Sequence, residues 1–210
     1  MPPALPSFES GCAPLAKADP VLGRLIKRVG PCPIQPRPRV SPYESLVRAV
    51  AYQQLNGKAA ETILNRFRAL FPGQRFPEPE AVLGTPDDTL RSAGLSRNKL
   101  AAIKDIAAKT LDGTVPTIRA VKHLSDNELV ERLTTIRGVG PWTVEMLLIF
   151  TLGRPDVLPA TDYGVRQGFA LVYRRKTLPK PQDILDHGEG WRPWRSVAAW
   201  YLWRALEVQP

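Results

Sequence analysis

The chain has 210 residues, 43% hydrophobic and 23% charged, enough apolar material to bury a core in one large or two small domains, which excludes a wholly disordered chain. Lys and Arg number 29 against 20 Asp and Glu, and the resulting +9 points to a polyanionic partner, either nucleic acid or an anionic membrane surface, without choosing between them. The longest apolar run, Met146 to Phe150, is far below the roughly 20 residues of a membrane span. No basic and apolar signal segment opens the sequence, so a soluble cytoplasmic protein with no membrane partner is expected. Cys12 and Cys32 are too few for a disulfide scaffold, a four-thiolate zinc site or an iron–sulfur cluster, and His123 and His187 are too few for histidine-rich metal chemistry.

Most of the 22 prolines stand where helices begin or between apolar runs. Pro31 to Pro38 reads as a proline-rich basic connection. Ser41-Pro42-Tyr43-Glu44 offers an N-cap, a proline in the first helical position and a reciprocal glutamate, followed by Leu46, Val47, Val50 and Ala51 at helical spacing. The turn Gln53-Gln54-Leu55-Asn56-Gly57 leads into a second helix with the stripe Ile63, Leu64, Phe67, Leu70 and Phe71, ended by Pro72-Gly73. Thr85-Pro86-Asp87-Asp88 and Ser125-Asp126-Asn127-Glu128 repeat the capping pattern, each before a leucine. Leu100, Ile103, Ala107 and Leu111 mark another helix, and Val197, Trp200, Tyr201 and Leu206 a last one. No segment shows sustained strand-type alternation bounded by hairpin turns, so the expected class is all-α. Gly153 to Pro159 is a turn-rich break, too short to be a disordered linker.

The most informative stretch is Leu133-Thr134-Thr135-Ile136-Arg137-Gly138-Val139-Gly140-Pro141-Trp142-Thr143, read as helix, tight hairpin and helix. Glycines here let main-chain amides of Gly138, Gly140 and the next helix approach a phosphate, a grip that ignores sequence. An ordinary turn between two helices uses the same residues. Downstream stands Leu158-Pro159-Ala160-Thr161-Asp162-Tyr163. A carboxylate at Asp162 suits cleavage of an N-glycosidic bond, where positive charge builds on the sugar. Thr161-Asp162 before Tyr163-Gly164-Val165 is equally a helix cap, and the two roles are compatible.

The hairpin pattern, Asp162 at its distance from it, Pro141-Trp142-Thr143 and Trp191-Arg192-Pro193-Trp194-Arg195-Ser196 together resemble the helix-hairpin-helix superfamily of base-excision DNA glycosylases, and within it the alkylation-repair, DNA-3-methyladenine glycosylase II branch. Gln53-Gln54-Leu55 and Lys58-Ala59-Ala60 extend the likeness over roughly residues 40 to 207. The resemblance implies a single two-lobed glycosylase unit with a cleft between the lobes and no separate N-terminal β domain. Lobe A would span about 38–145, with the helix-hairpin-helix at 125–150, and lobe B about 1–37 plus 146–210. It implies Asp162 as catalytic residue and Trp142, Met146, Tyr163, Trp203 and Tyr52 around the displaced base, whose alkylated form is drawn to electron-rich rings. Met146 stands where the best-known branch has an aromatic, implying a roomier pocket.

Bifunctional members carry a nucleophilic lysine where this chain has Trp142, and a tryptophan forms no Schiff base, so a monofunctional enzyme releasing alkylated bases of the 3-methyladenine and 7-methylguanine type and leaving an abasic site is expected. Gln54, Leu55, Asn56, Arg97, Arg137, Gly138, Val139, Gly140 and Thr143 are the implied DNA contacts, with Leu55 or Asn56 filling the hole left by the base. Arg97, Lys58 and Arg137 are also readable as plain solvated charges. No cofactor is needed for catalysis; a structural Na+ or K+ held by the main-chain carbonyls of Thr134, Ile136 and Val139 is implied by the family. The partner is double-stranded DNA with damaged bases, the protein a monomer, nucleoid-associated if bacterial. Two other readings stay open: a non-catalytic DNA-binding module in which Asp162 is only a cap, and a glycosylase for another damaged base.

Overall fold

The computed structural model describes residues 7–37 and 39–208. Residues 1–6, 209 and 210, at the ends of the expected lobe B, and Pro38, at the end of the expected connection, lie outside the described residues. Twelve α-helices are assigned among the described residues, with no strand: α1 Cys12–Ala18, α2 Pro20–Val29, α3 Pro42–Tyr52, α4 Gly57–Ala69, α5 Pro79–Gly84, α6 Asp87–Ser92, α7 Arg97–Leu111, α8 Asp126–Leu133, α9 Pro141–Met146, α10 Tyr163–Val172, α11 Pro181–Gly188 and α12 Arg195–Ala205. The chain is all-α, as its patterning indicates. It divides into two compact units, Pro38–Leu147 and Met1–Arg37 with Leu148–Pro210.

In the unit Pro38–Leu147, α7 packs against α3 and α5, and α8 against α9. Leu46, Val47, Val50, Leu64, Phe67, Leu100, Ile103, Ile106, Leu129, Leu133 and Val144 are buried at helical spacing on their elements. The Ser41 hydroxyl caps α3, accepting the Glu44 N–H at 3.1 Å, as its pattern indicates. The reciprocal bond is not made: the buried Glu44 carboxylate is taken by Arg48 at 2.9 Å and Arg75 at 3.0 Å, because charge pairing inside the unit outcompetes a local cap. Ser125 and Glu128 form the expected reciprocal box at the start of α8. Thr85 does not cap α6; its hydroxyl turns back to the Ala81 carbonyl at 2.7 Å and closes α5 instead.

In the other unit α12 is central, packing against α10 and α2. Its Ser196, Val197, Ala198, Ala199, Tyr201, Leu202 and Ala205 are all buried, so the helix is covered on most sides rather than along one stripe, and Leu206 lies past its end, exposed.

Asp19 holds this unit together from the inside. Its Oδ1 caps α2, accepting the N–H groups of Val21 and Leu22 at 3.0 Å each. Its Oδ2 accepts the Tyr173 hydroxyl at 2.6 Å and the Trp191 indole N–H at 2.9 Å, and lies 3.2 Å from Nε2 of His187. These three rings pack with Phe169 into one aromatic cluster. Burial alone would push the carboxyl up; the hydrogen bonds from Tyr173, Leu22, Trp191 and His187 prevail and hold it at about 2, against an ordinary 3.8. A group whose folded value is depressed stabilises the fold above its unfolded value and loses that contribution as pH falls through the folded one. The Asp19 contribution, about 2.5 kcal/mol for a shift of this size, is therefore complete above about pH 4 and lost on acidification toward pH 2. Asp19→Asn is expected to lower Tm by about 5 °C or more at pH 7 and to flatten the fall of stability between pH 4 and 2, measured by thermal unfolding across that range.

Candidate active site

Asp162 lies in the unit that contains α10 and α12. The loop before it is anchored by the Trp191–Ser196 motif. The Ser196 hydroxyl accepts the Val157 N–H at 2.9 Å and donates to the Arg154 carbonyl at 2.7 Å, its own N–H reaches the Pro155 carbonyl at 3.0 Å, and Arg195 pairs with Asp156 at 2.7 Å. The Asp162 N–H then bonds the Pro159 carbonyl at 3.0 Å, turning the chain into α10. Asp162 is the N-cap of that helix, with extended backbone at φ −62° and ψ 129°. Its Oδ1 accepts two hydrogen bonds of 2.8 Å, from the Val165 N–H and from the indole N–H of Trp203 on α12. The cap and the candidate catalytic group are one carboxylate, oriented by two donors on different helices. Gly164 makes room for this: a Cβ there would lie 2.9 Å from the Trp203 ring and 3.2 Å from Asp162 Oδ1.

Trp203 is thereby tied to Asp162, and its ring stacks on Phe150 with centroids 5.9 Å apart and planes at 28°. Tyr163 is 62% exposed, and its hydroxyl accepts the Gln167 amide at 3.0 Å.

The hairpin belongs to the other unit. Leu133, Ile136 and Val139 are buried and fasten it to the core. Gly138 has φ 75°, and a Cβ on it would lie 2.9 Å from the Ala102 methyl of α7, so glycine is required there twice over. Asp105 of α7 accepts the Arg137 N–H at 2.7 Å. Gly140 differs: its backbone is extended at φ −97° and a Cβ would meet nothing within 4 Å, so nothing among the described residues calls for glycine. Pro141 then opens α9, and Arg137 is exposed.

The Val139 side chain is buried and its N–H bonds the Ile136 carbonyl at 3.1 Å, while Thr143 is only 3% exposed and its N–H reaches the Gly140 carbonyl at 3.0 Å. Both side chains face the core, because the hairpin motif spends them on its own attachment. Trp142, 42% exposed, is the second residue of α9 and the half-buried Met146 its last, one helical turn apart on the same face.

In the turn between α3 and α4, Gln54 is exposed in the left-handed region at φ 56°, and Leu55 beside it is exposed. Asn56, exposed like its two predecessors, is the N-cap of α4, its Oδ1 accepting the Ala59 N–H at 2.9 Å. The Gln53 amide donates to the Gly138 carbonyl at 3.0 Å. Tyr52 donates to Glu61. Arg97 is exposed in the first turn of α7, whereas Lys99 turns inward to the Ala51 carbonyl at 2.8 Å, where burial lowers the pKa of its ammonium group. Gln53, Gly164 and Ser196 stand in motifs the sequence analysis quotes but carry no individual role there, and Phe150 carries no signal beyond its place in an apolar run.

Residues 47–193 match the family model of the HhH-GPD superfamily base excision DNA repair protein. The chain belongs to that superfamily. It is 44% identical over 186 residues to DNA-3-methyladenine glycosylase 1 of Schizosaccharomyces pombe, covering 88% of this chain and 82% of that protein. Its fold is similar to the structure of S. pombe 3-methyladenine DNA glycosylase (Mag1) in complex with abasic DNA, with a TM-score of 0.86, 42% identity and coverage of 95% of this chain and 97% of that one. The crystal structure of a DNA-3-methyladenine glycosidase from Bacillus halodurans matches with a TM-score of 0.81, 31% identity and coverage of 93% and 88%.

The two hairpin glycines separate by substitution. Gly138→Ala, strained at its φ and against Ala102, is expected to cost about 1–3 kcal/mol. Gly140→Ala, extended and open, should leave Tm within about 1 °C of wild type, both read by thermal melts.

Proposed function

We propose that this chain is a monofunctional DNA glycosylase, acting as a monomer, that displaces alkylated bases of the 3-methyladenine and 7-methylguanine type from duplex DNA and hydrolyses their N-glycosidic bond. The observation that carries the reading is the Asp162 carboxylate held by the Val165 N–H and the Trp203 indole. A carboxylate oriented in advance stabilises the positive charge that grows on the sugar as the base departs, with water completing the substitution. Trp142, Tyr52, Tyr163, Met146 and Trp203 are each proposed to contact the displaced base, the exposed rings of the first three attracting its positive charge. Trp142 offers no amine for a Schiff base, so the product is an abasic site with an intact strand. Gly138, Gly140 and the start of α9 are proposed to grip a phosphate through main-chain amides, with Arg137 and Arg97 adding charge, and Gln54 and Leu55 to enter the duplex. The absence of a side chain at Gly140, unexplained by the fold, supports that close approach.

Among the described residues no His, Cys, Asp and Glu cluster suits a metal ion. The family resemblance supports a structural monovalent cation at the main-chain carbonyls of Thr134, Ile136 and Val139. The Ile136 carbonyl accepts one N–H and retains a second lone pair for a ligand. A bound Na+ or K+ would supply positive charge beside a phosphate and take no part in bond cleavage. Replacing KCl by tetramethylammonium chloride at equal ionic strength is then expected to weaken binding of undamaged duplex several-fold, read by fluorescence anisotropy; equal affinities would remove the ion.

Base release from methylated duplex DNA tests the main reading. Wild type is expected to liberate 3-methyladenine. Asp162→Asn should slow release by about 100-fold or more while binding DNA as well or better, since a negative charge near the backbone is gone. Retained binding with no release of any damaged base by wild type would assign the non-catalytic module; release of a different lesion would keep the enzyme and change its substrate.

A further inference from the structure

One face of α7 holds two separate loops. Lys99, Ala102 and Asp105 follow one another at three-residue intervals and so lie along one side of the helix. Lys99 bonds the Ala51 carbonyl at the end of α3, Ala102 abuts Gly138, and Asp105 accepts the Arg137 N–H. The first contact fixes the turn that carries Gln54 and Leu55; the other two fix the hairpin. Gln53 joins the loops directly, its amide donating 3.0 Å to the carbonyl of Gly138. That carbonyl belongs to the one hairpin residue with a left-handed backbone, and the next residue after Gln53, Gln54, is left-handed as well. The bond lies at the surface, where water replaces either partner at little cost in stability. Its value is registration: a shift of the hairpin on a phosphate is passed to the tip that enters the duplex.

We infer that Gln53 is a positioning residue that couples the phosphate grip of the hairpin to insertion of the Gln54–Leu55 tip, with the Lys99–Ala102–Asp105 face of α7 as its frame. This rests on the DNA glycosylase reading and deepens it. Gln53→Met keeps the length of the side chain and removes the donor. Two duplexes serve as probes: an undamaged one, and one with a tetrahydrofuran abasic analogue beside 2-aminopurine, whose fluorescence rises when its neighbour is wedged apart, with no bond cleavage needed.

The variant is expected to melt within 2 °C of wild type and bind undamaged duplex within about twofold. It should lose most of the 2-aminopurine signal and release methylated base about tenfold more slowly in single turnover. An unchanged 2-aminopurine signal overturns the inference, as does a loss of affinity for undamaged duplex in proportion to the loss of rate, which would make Gln53 a plain DNA contact. If wild type wedges the abasic duplex but releases no base, the glycosylase reading fails while the dependence of the signal on Gln53 still decides the coupling.

Discussion

The position of Asp162 depends on how closely α10 and α12 approach. At Gly168 a Cβ would lie 2.0 Å from the Leu202 carbonyl, so the two helices meet backbone to backbone. One residue along α12 from Leu202, Trp203 is brought near enough to the start of α10 to donate to Asp162. Any larger residue at Gly168 separates the helices, and any at Gly164 pushes the indole away. A carboxylate at a helix start is common; one fixed from a second helix is a matter of tertiary structure. The indole N–H also gains, since a partly buried donor that finds a charged acceptor avoids the cost of burial without one.

The rest of that unit serves the same end. The aromatic cluster around Asp19 ties α2, α10, α11 and Trp191 together, and Trp191 begins the motif whose Arg195 and Ser196 hold the loop leading to Asp162. A buried carboxyl with five hydrogen-bonding neighbours is stable only in a unit that supplies all of them at once. Asp19 therefore makes the packing of four segments cooperative. Its contribution to the site is indirect: it keeps α10 and the 153–161 loop from moving independently.

Local signals were legible in the sequence. Ser41, Ser125 and Asp162 cap the helices their patterns indicated, and the Gly138–Pro141 hairpin stands between two helices as read. Each is decided within four residues, where hydrogen-bonding options are few. What was misread depends on partners far away. Thr85 looked like a cap but had a carbonyl behind it; Glu44 looked like half of a capping box but met two arginines. Thr143 and Val139 lie within the hairpin motif, and their side chains are buried where it attaches to the core. Phe150 against Trp203 and Gln53 against Gly138 are contacts between residues 53 and 85 positions apart, and no local rule reports them.

The residues the fold leaves unexplained are informative in another way. Gly138 has an internal reason for lacking a side chain, in its φ and in Ala102; Gly140, two residues on, has none. Gln54 occupies the left-handed region without being glycine or asparagine, which costs energy the turn does not visibly recover. Leu55, Trp142 and Tyr163 leave apolar surface in water. Gly140 lies in the hairpin, Gln54 and Leu55 in the turn that Gln53 joins to it, and Tyr163 directly follows Asp162. A partner that approaches the backbone at Gly140 and takes a side chain between its own stacked rings would use the hairpin and the Gln54–Leu55 tip together, and duplex DNA has both properties.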